Sequence, residues 1–436
     1  MKFKFAHSVA WVVGILFAPT NLIVLGNSAG SLGFGFIFLL FIAGSAYIIH
    51  SHCYTDIAAF RPGAAGEFDL VAKTLGPTAA VIFSIVPRTL LAVFLSTATL
   101  AAAGYVFNEV FVHRFPNFAF AFLMLGTLLA VNLFSPRLSR KIQIVLSATA
   151  VAGLSVLSIA GIYEWLKTYE IVNTASFISP LKGSFSVLLL FVGFDLLIFT
   201  RNKFGDHDSS LRHHLVTGLI IAGTVFCFWG VVSVLNVPAA RLAKTTIPHI
   251  IAAKSILGET GRIIMALVVI SGSGAAVNAL LVAIGEMIAD VSRQANPPFF
   301  LQRIFNRRST IMILLALVTA AMMAHGVAGT DALDTYIRGS LILWLLNYAA
   351  IHFTLLLPGA QQTPKVSMRV FRWQRVSNGA ILILMLTGSA ILVATDDNIG
   401  LIVRYLIFIF IGAGLPAWLG SRMLSRRRRS YVLNGK

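Results

Sequence analysis

Apolar runs long enough to cross a hydrocarbon core of about 30 Å recur at residues 6–29, 33–57, 77–110, 117–134, 141–165, 184–200, 214–236, 262–292, 310–327, 332–357, 377–395 and 399–421. They predict twelve membrane-spanning helices. Two of them are interrupted. In the first, "ILFAPTNLIV" (15–24) carries Pro19, which removes a backbone hydrogen bond, then Thr20 and Asn21, whose side chains compete for backbone partners. In the sixth, "FVGFDLLIF" (191–199) sets Gly193, about 1 kcal/mol poorer than alanine in a helix, beside Asp195. At about 1.5 Å per residue both interruptions fall roughly 17–20 Å in, near the bilayer midplane. Irregular backbone at that depth is tolerated only where protein covers it or where it lines a cavity, and breaks at matching places in two halves point to a transporter's binding site. One proline or glycine alone is commonly a packing kink. Here the shared depth, the offset of five spans and the carboxylate at one break set the pair apart. An odd number of spans per unit makes two units inverted. The expected architecture is therefore an all-α polytopic membrane protein with a 5+5 inverted repeat. The first repeat covers 6–165 and the second 184–357, followed by two added helices (377–421) and a basic tail (422–436), with no domain outside the membrane.

Composition agrees. With 57% hydrophobic and 11% charged residues and a mean hydropathy of +0.85, the 436-residue chain lacks the roughly one-quarter charged content of a soluble surface. The net charge of +18 is an orientation signal, because most basic residues fall on the face that an even span count gives to both termini. By the positive-inside rule that face is cytoplasmic, and the expected location is the bacterial inner membrane. The RRRR run at 426–429 reads as an anchor to anionic lipid, and no nucleic-acid partner is expected. Cys53 and Cys227 have no metal or redox spacing and read as packing residues. No cofactor or metal is expected, and the first run has no small-residue cleavage site.

Charges inside the spans are the chemical candidates, because an intramembrane ionisable group is a functional hypothesis by default. Asp195 leads. Arg88 lies about 16 Å into span 3, beside a further helix breaker, Pro87, that is expected to break this span at the same depth; it pairs with Asp195 or Glu286, meets an anionic substrate group in a vestibule, or snorkels. Arg338 and Arg404, nearer span ends, read as snorkelers. "SGSGAAVN" (271–278) is a small-residue patch suited to close packing on span 1, with an ion site at Asn278 as the minor alternative. His50 and His52 read as interior polar packing, and "DHDSSLRHH" (206–214) as a solvated connection rather than a metal site.

"CYTDIAAFRPGAAGEFDLVAKTLGP" (53–77) resembles the loop after helix 2 in the amino acid/polyamine/organocation superfamily. "LLLFVGFDLLIF" (188–199) resembles that superfamily's helix 6 break, and "NALLVAIGEMIADVSRQANPPFFLQRI" (278–304) its helix 8 and following loop. The resemblance implies a small-molecule substrate bound between the two broken helices, at Ala18, Pro19, Thr20 and Asn21 on one and Phe191, Val192, Gly193, Phe194 and Asp195 on the other, with Arg88 as a further candidate. Asp195 would act as substrate counter-charge, proton carrier or hinge. A coupling ion, H+ or Na+, is expected, with Asp195, Asn278 and Glu286 as candidates. Three departures matter. The helix 1 break reads Ala18-Pro19-Thr20 where the family has glycines, Ala150 stands where some proton-coupled members have a lysine, and Gly285-Glu286 replaces Ser-Arg.

The function expected is secondary active transport of amino acids or related small amines and organic cations. A twelve-span transporter of small organic anions or inorganic ions is the alternative. An intramembrane enzyme would need a nucleophile with a base, or H-E-x-x-H, and neither pattern is present.

Overall fold

The computed structural model describes residues 2–60, 64–113, 115–168, 180–200, 208–295, 305–357 and 368–433, and among them there are helices and turns but no strand. Every predicted span has its helix. Span 1 is α1 (Lys2–Leu16) and α2 (Pro19–Leu32), bent by 60° between them. Span 2 is α3 (Gly35–Phe60), followed by α4 (Ala64–Leu75). Span 3 runs from α5 (Pro77–Ala80) through a π-turn at Val81–Ile85 into α6 (Val86–Val110). Spans 4 and 5 are α7 (Asn117–Phe134) and α8 (Pro136–Thr168). Span 6 is two short pieces, α9 (Pro180–Leu189) and α10 (Leu196–Thr200). Then come α11 (Asp208–Asn236), the short α12 (Ala239–Lys244), α13 (Pro248–Ala295), α14 (Arg308–Ala324), α15 (Asp331–Leu356), α16 (Met368–Ala394) and α17 (Ile399–Leu433). Among the described residues, nine helices are individually long and apolar enough to cross a membrane, and the bent α1–α2 pair makes ten. The 17-residue α14 and the broken α9–α10 bring the count to twelve.

Two expectations need correction. The segment after span 2, likened to a loop, folds from Ala64 as the helix α4, which carries Glu67 in its first turn. Span 3 does not break at Pro87. A π-turn absorbs the proline, whose missing N–H would otherwise leave a gap in the ladder, and the helix continues.

The bundle is organised round α13, whose membrane window is 89% buried and which packs on α6, α8 and α1. Its small residues explain that position. A side chain at Gly272 would collide with the Phe17 carbonyl at the span 1 break, and one at Gly153 of α8 with Val268. The patch at 271–278 is thus a close-packing surface, as read.

Candidate functional site

The two breaks meet. Asn21, in the first turn of α2, donates from its side-chain amide to Leu16 O (3.0 Å) at the end of α1 and to Leu190 O (3.3 Å) past the end of α9. One amide therefore satisfies carbonyls that both helix ends leave open. Tyr47 of α3 donates to Leu188 O (2.9 Å). Gly193 has φ +97°, and a Cβ there would lie 2.9 Å from Ile15 of α1. Glycine is required twice over, for the left-handed backbone and for the contact between breaks.

Above this joint, on the face opposite the N-terminus, lie two adjoining cavities of about 510 and 650 Å3 that share Thr20, Asn27, Lys244 and Asp334. Pro19 lines the larger and Asn21 the smaller. Their walls also hold Asp331, Asp396, Asp397 and Arg338, so four carboxylates face two cationic groups. Arg338 is no snorkeler. It pairs with Asp334 (3.1 Å) and Asp396 (2.8 Å) at the vestibule wall. Arg404 is exposed.

Beneath the joint the chain buries a charged cluster. Arg88 reaches Glu67 through both terminal nitrogens (2.6 and 3.0 Å), Asp195 Oδ2 (2.6 Å), Ser84 O in the π-turn (2.9 Å) and Tyr54 Oη (3.3 Å). Its guanidinium lies about 5 Å from the Phe199 and Trp344 rings, an arrangement that a planar, weakly hydrated cation suits. Asp195 also accepts from Tyr348 (2.7 Å), Tyr54 (3.1 Å) and Trp344 (3.4 Å), and Glu67 from Asn347 (2.7 Å). All three charged side chains are at most 2% exposed. The pairing of Arg88 with Asp195 is as one reading expected. The snorkelling reading fails, and so does pairing with Glu286, which binds Arg308 instead (2.8 Å).

The remaining candidates separate. Ala18, Val192, Phe191 and Phe194 are buried and line neither vestibule cavity. Phe191 packs on Tyr47 and Phe226, and Phe194 on Tyr47, His50, Tyr54 and Tyr348. Asn278 makes no helix 1 carbonyl site; its amide donates to Gln143 (2.7 Å) and its oxygen accepts from Asn132 (2.7 Å) and Ser139 (3.3 Å). Gln143 and Ser147 then reach Ala10 O of α1 (3.2 and 2.8 Å). This amide network lies beside a smaller hollow of about 270 Å3 lined by Trp11, Asn132, Arg140 and Arg308. His213 and His214 contact the Phe5 ring, while His207 lies outside the described residues.

Sequence reading missed Glu67, Tyr54, Trp344, Asn347, Tyr348 and His352. A signal existed for most of them. Tyr47, His50 and Tyr54 sit at i, i+3 and i+7 of α3, and Trp344, Tyr348 and His352 at i, i+4 and i+8 of α15, one polar-aromatic stripe on each of two oily helices.

A sequence profile for a family described as amino acid permease matches residues 3–417. The Escherichia coli (strain K12) "Inner membrane transport protein YbaT" is 21% identical over 305 residues, covering 65% of this chain and 69% of that protein. Among solved structures, the Eremococcus coleocola manganese transporter in complex with an aromatic bis-isothiourea substituted compound superposes with a TM-score of 0.64 at 13% identity, covering 97% of this chain and 95% of the other. Two mutants of that transporter give 0.57 and 0.56 at 14% identity over the same shares. The structural likeness establishes the fold, an all-α LeuT-like transporter fold.

Proposed function

From a chain that belongs to the amino acid permease family, and so is a multi-pass membrane transporter and not an enzyme, we propose secondary active transport of amino acids or related small amines and organic cations by alternating access. The observation that carries this reading is Asn21 clamping both helix breaks at the floor of a vestibule with more acids than bases. The N-terminus of α2 offers its positive end to a carboxylate there, and the acidic walls concentrate cations such as an ammonium group. Pro19 withholds one amide, which weights the ammonium over the carboxylate. Residues 6–165 and 184–357 form the two inverted repeats. With the basic face cytoplasmic in a bacterial inner membrane, the vestibule opens outward.

Coupling runs through the buried cluster. Two carboxylates and one guanidinium leave one negative charge uncompensated when all are ionised, in a dry site that disfavours it. Asp195, held in that cluster by Arg88 and by the Tyr348 and Tyr54 hydroxyls, is the candidate proton carrier. No lysine is needed at Ala150. Breaking the Asp195–Arg88 contact would free α10 to move.

Purified protein in proteoliposomes tests both steps. Counterflow of basic and neutral amino acids and polyamines is expected, with dicarboxylates inert; counterflow of Mn2+ or Na+ alone would favour the inorganic-ion alternative. Asp195→Asn is expected to flatten the pH profile of uptake. A profile unchanged from wild type would remove Asp195 from coupling.

A further inference from the structure

One cluster of donor atoms is used by neither the vestibule nor the charged triad. Cys53 of α3, His352 of α15 and Asn378 of α16 converge: His352 Nδ1 lies 3.0 Å from Asn378 Oδ1 and 3.8 Å from Cys53 Sγ, and Sγ lies 3.5 Å from the same oxygen. All three side chains are buried, and His50 Nδ1 sits 2.8 Å from His352 Nε2. The ligand atoms of His50, Cys53 and His352 lie within 4.8 Å of one another.

We propose that Cys53, His352 and Asn378 form a binding site for a zinc-type divalent d-block cation, with His50 positioning His352. A tetrahedral ion with metal–nitrogen and metal–oxygen bonds near 2.0–2.2 Å and a metal–sulfur bond near 2.3 Å needs ligand–ligand edges of about 3.4–3.6 Å. The three observed edges differ from those by less than about half an ångström. Sulfur and imidazole nitrogen select zinc or cobalt over magnesium or calcium, whose preference is for oxygen. The fourth position is water.

Proton accounting is simple. Binding releases the Cys53 thiol proton to solvent. The other hydrogen moves from His352 Nδ1 to Nε2, where His50 Nδ1 accepts it, and the hydrogen on His50 passes to its Nε2, a buried atom with no partner. A ligating histidine held through its second nitrogen is the usual support of such ions. A divalent ion with one thiolate carries one positive charge. The centre of the His50 ring lies 4.3 Å from that of Tyr348, tilted, and 5.0 Å from that of Tyr54, edge-on, and both tyrosines donate to Asp195.

The test uses tag-free, chelator-stripped full-length protein titrated with Co2+. One equivalent is expected to give tetrahedral d–d absorption and a thiolate-to-cobalt band, both displaced by Zn2+ and untouched by Mg2+. Cys53→Ser should lose the band, Cys227→Ser should keep it, and His50→Phe should weaken Co2+ binding about 10–100-fold. Should Cys53→Ser fail to fold, Zn2+ must protect Cys53 from a maleimide in the Cys227→Ser protein. No saturable Co2+ binding by wild type, a band retained in Cys53→Ser, or labelling unaffected by Zn2+ would each overturn the site.

Discussion

Two arginines in this molecule sit between paired carboxylates, and depth alone separates them. Arg88 joins Glu67 and Asp195 with every partner at most 2% exposed. Arg338 joins Asp334 and Asp396 at the vestibule wall, itself 26% exposed, with Asp334 65% and Asp396 4% exposed. The distances are alike, so the chemistry of contact is alike. What differs is the alternative each ion has. Around Arg338 water and salt can replace Asp334, whereas around Arg88 only the Ser84 carbonyl, the Tyr54 hydroxyl and the Phe199 and Trp344 rings remain. The deep cluster holds charges that no solvent reaches, and the wall cluster keeps Asp334 within reach of water.

The largest effect is expected from Arg88→Gln, which strands two carboxylates in low dielectric and should lower stability by about 3–5 kcal/mol in thermal or denaturant unfolding. Combining it with Asp195→Asn removes one stranded charge. The double mutant is therefore expected to be more stable than Arg88→Gln alone, and additive losses would show that Arg88 and Asp195 do not interact energetically. A neutral side chain at the joint above the cluster sharpens the contrast. Asn21→Ala forfeits the clamp on Leu16 O and Leu190 O and should cost about 1–2 kcal/mol while abolishing counterflow, since the breaks lose their shared anchor. Arg338→Gln also leaves Asp396 without its partner at 4% exposure but leaves Asp334 to water, so it is expected to cost less than Arg88→Gln, and its effect should shrink in high salt while that of Arg88→Gln does not. Equal losses at Arg88 and Arg338, or equal salt sensitivity, would mean that depth is not what distinguishes them.

The same contrast governs what was legible. Asp195 and Arg88 stand out in sequence because a charge inside a twenty-residue apolar run has no bland explanation. Arg338 stood out as well, but its distance from the midplane suggested snorkelling, and Asp396, 58 residues on, gave no local hint of the pair. Glu67 hid for the opposite reason. It lies between apolar runs, where an acid is ordinary, and only the folding of α4 brings it against Arg88, 21 residues further on. The histidine and cysteine of α3 are three residues apart, yet their partner His352 is about 300 residues distant, so no spacing rule could join them.

Sequence by itself determined the twelve spans, the two interrupted helices, the close packing of residues 271–278 on span 1 and the presence of a costly buried charge. These follow from hydrocarbon thickness, from the backbone hydrogen bonds that proline and glycine forgo, and from the price of charge in oil, all of which act on a chain locally. Only the tertiary structure decided which partner each charge takes, that Asn21 ties one break to the other, and that the phenylalanines of "FVGF" pack against Tyr47 instead of the vestibule. Those outcomes depend on how helices distant in sequence pack side by side, and a period of 3.6 residues specifies which face of a helix is turned inward but not which helix it will meet.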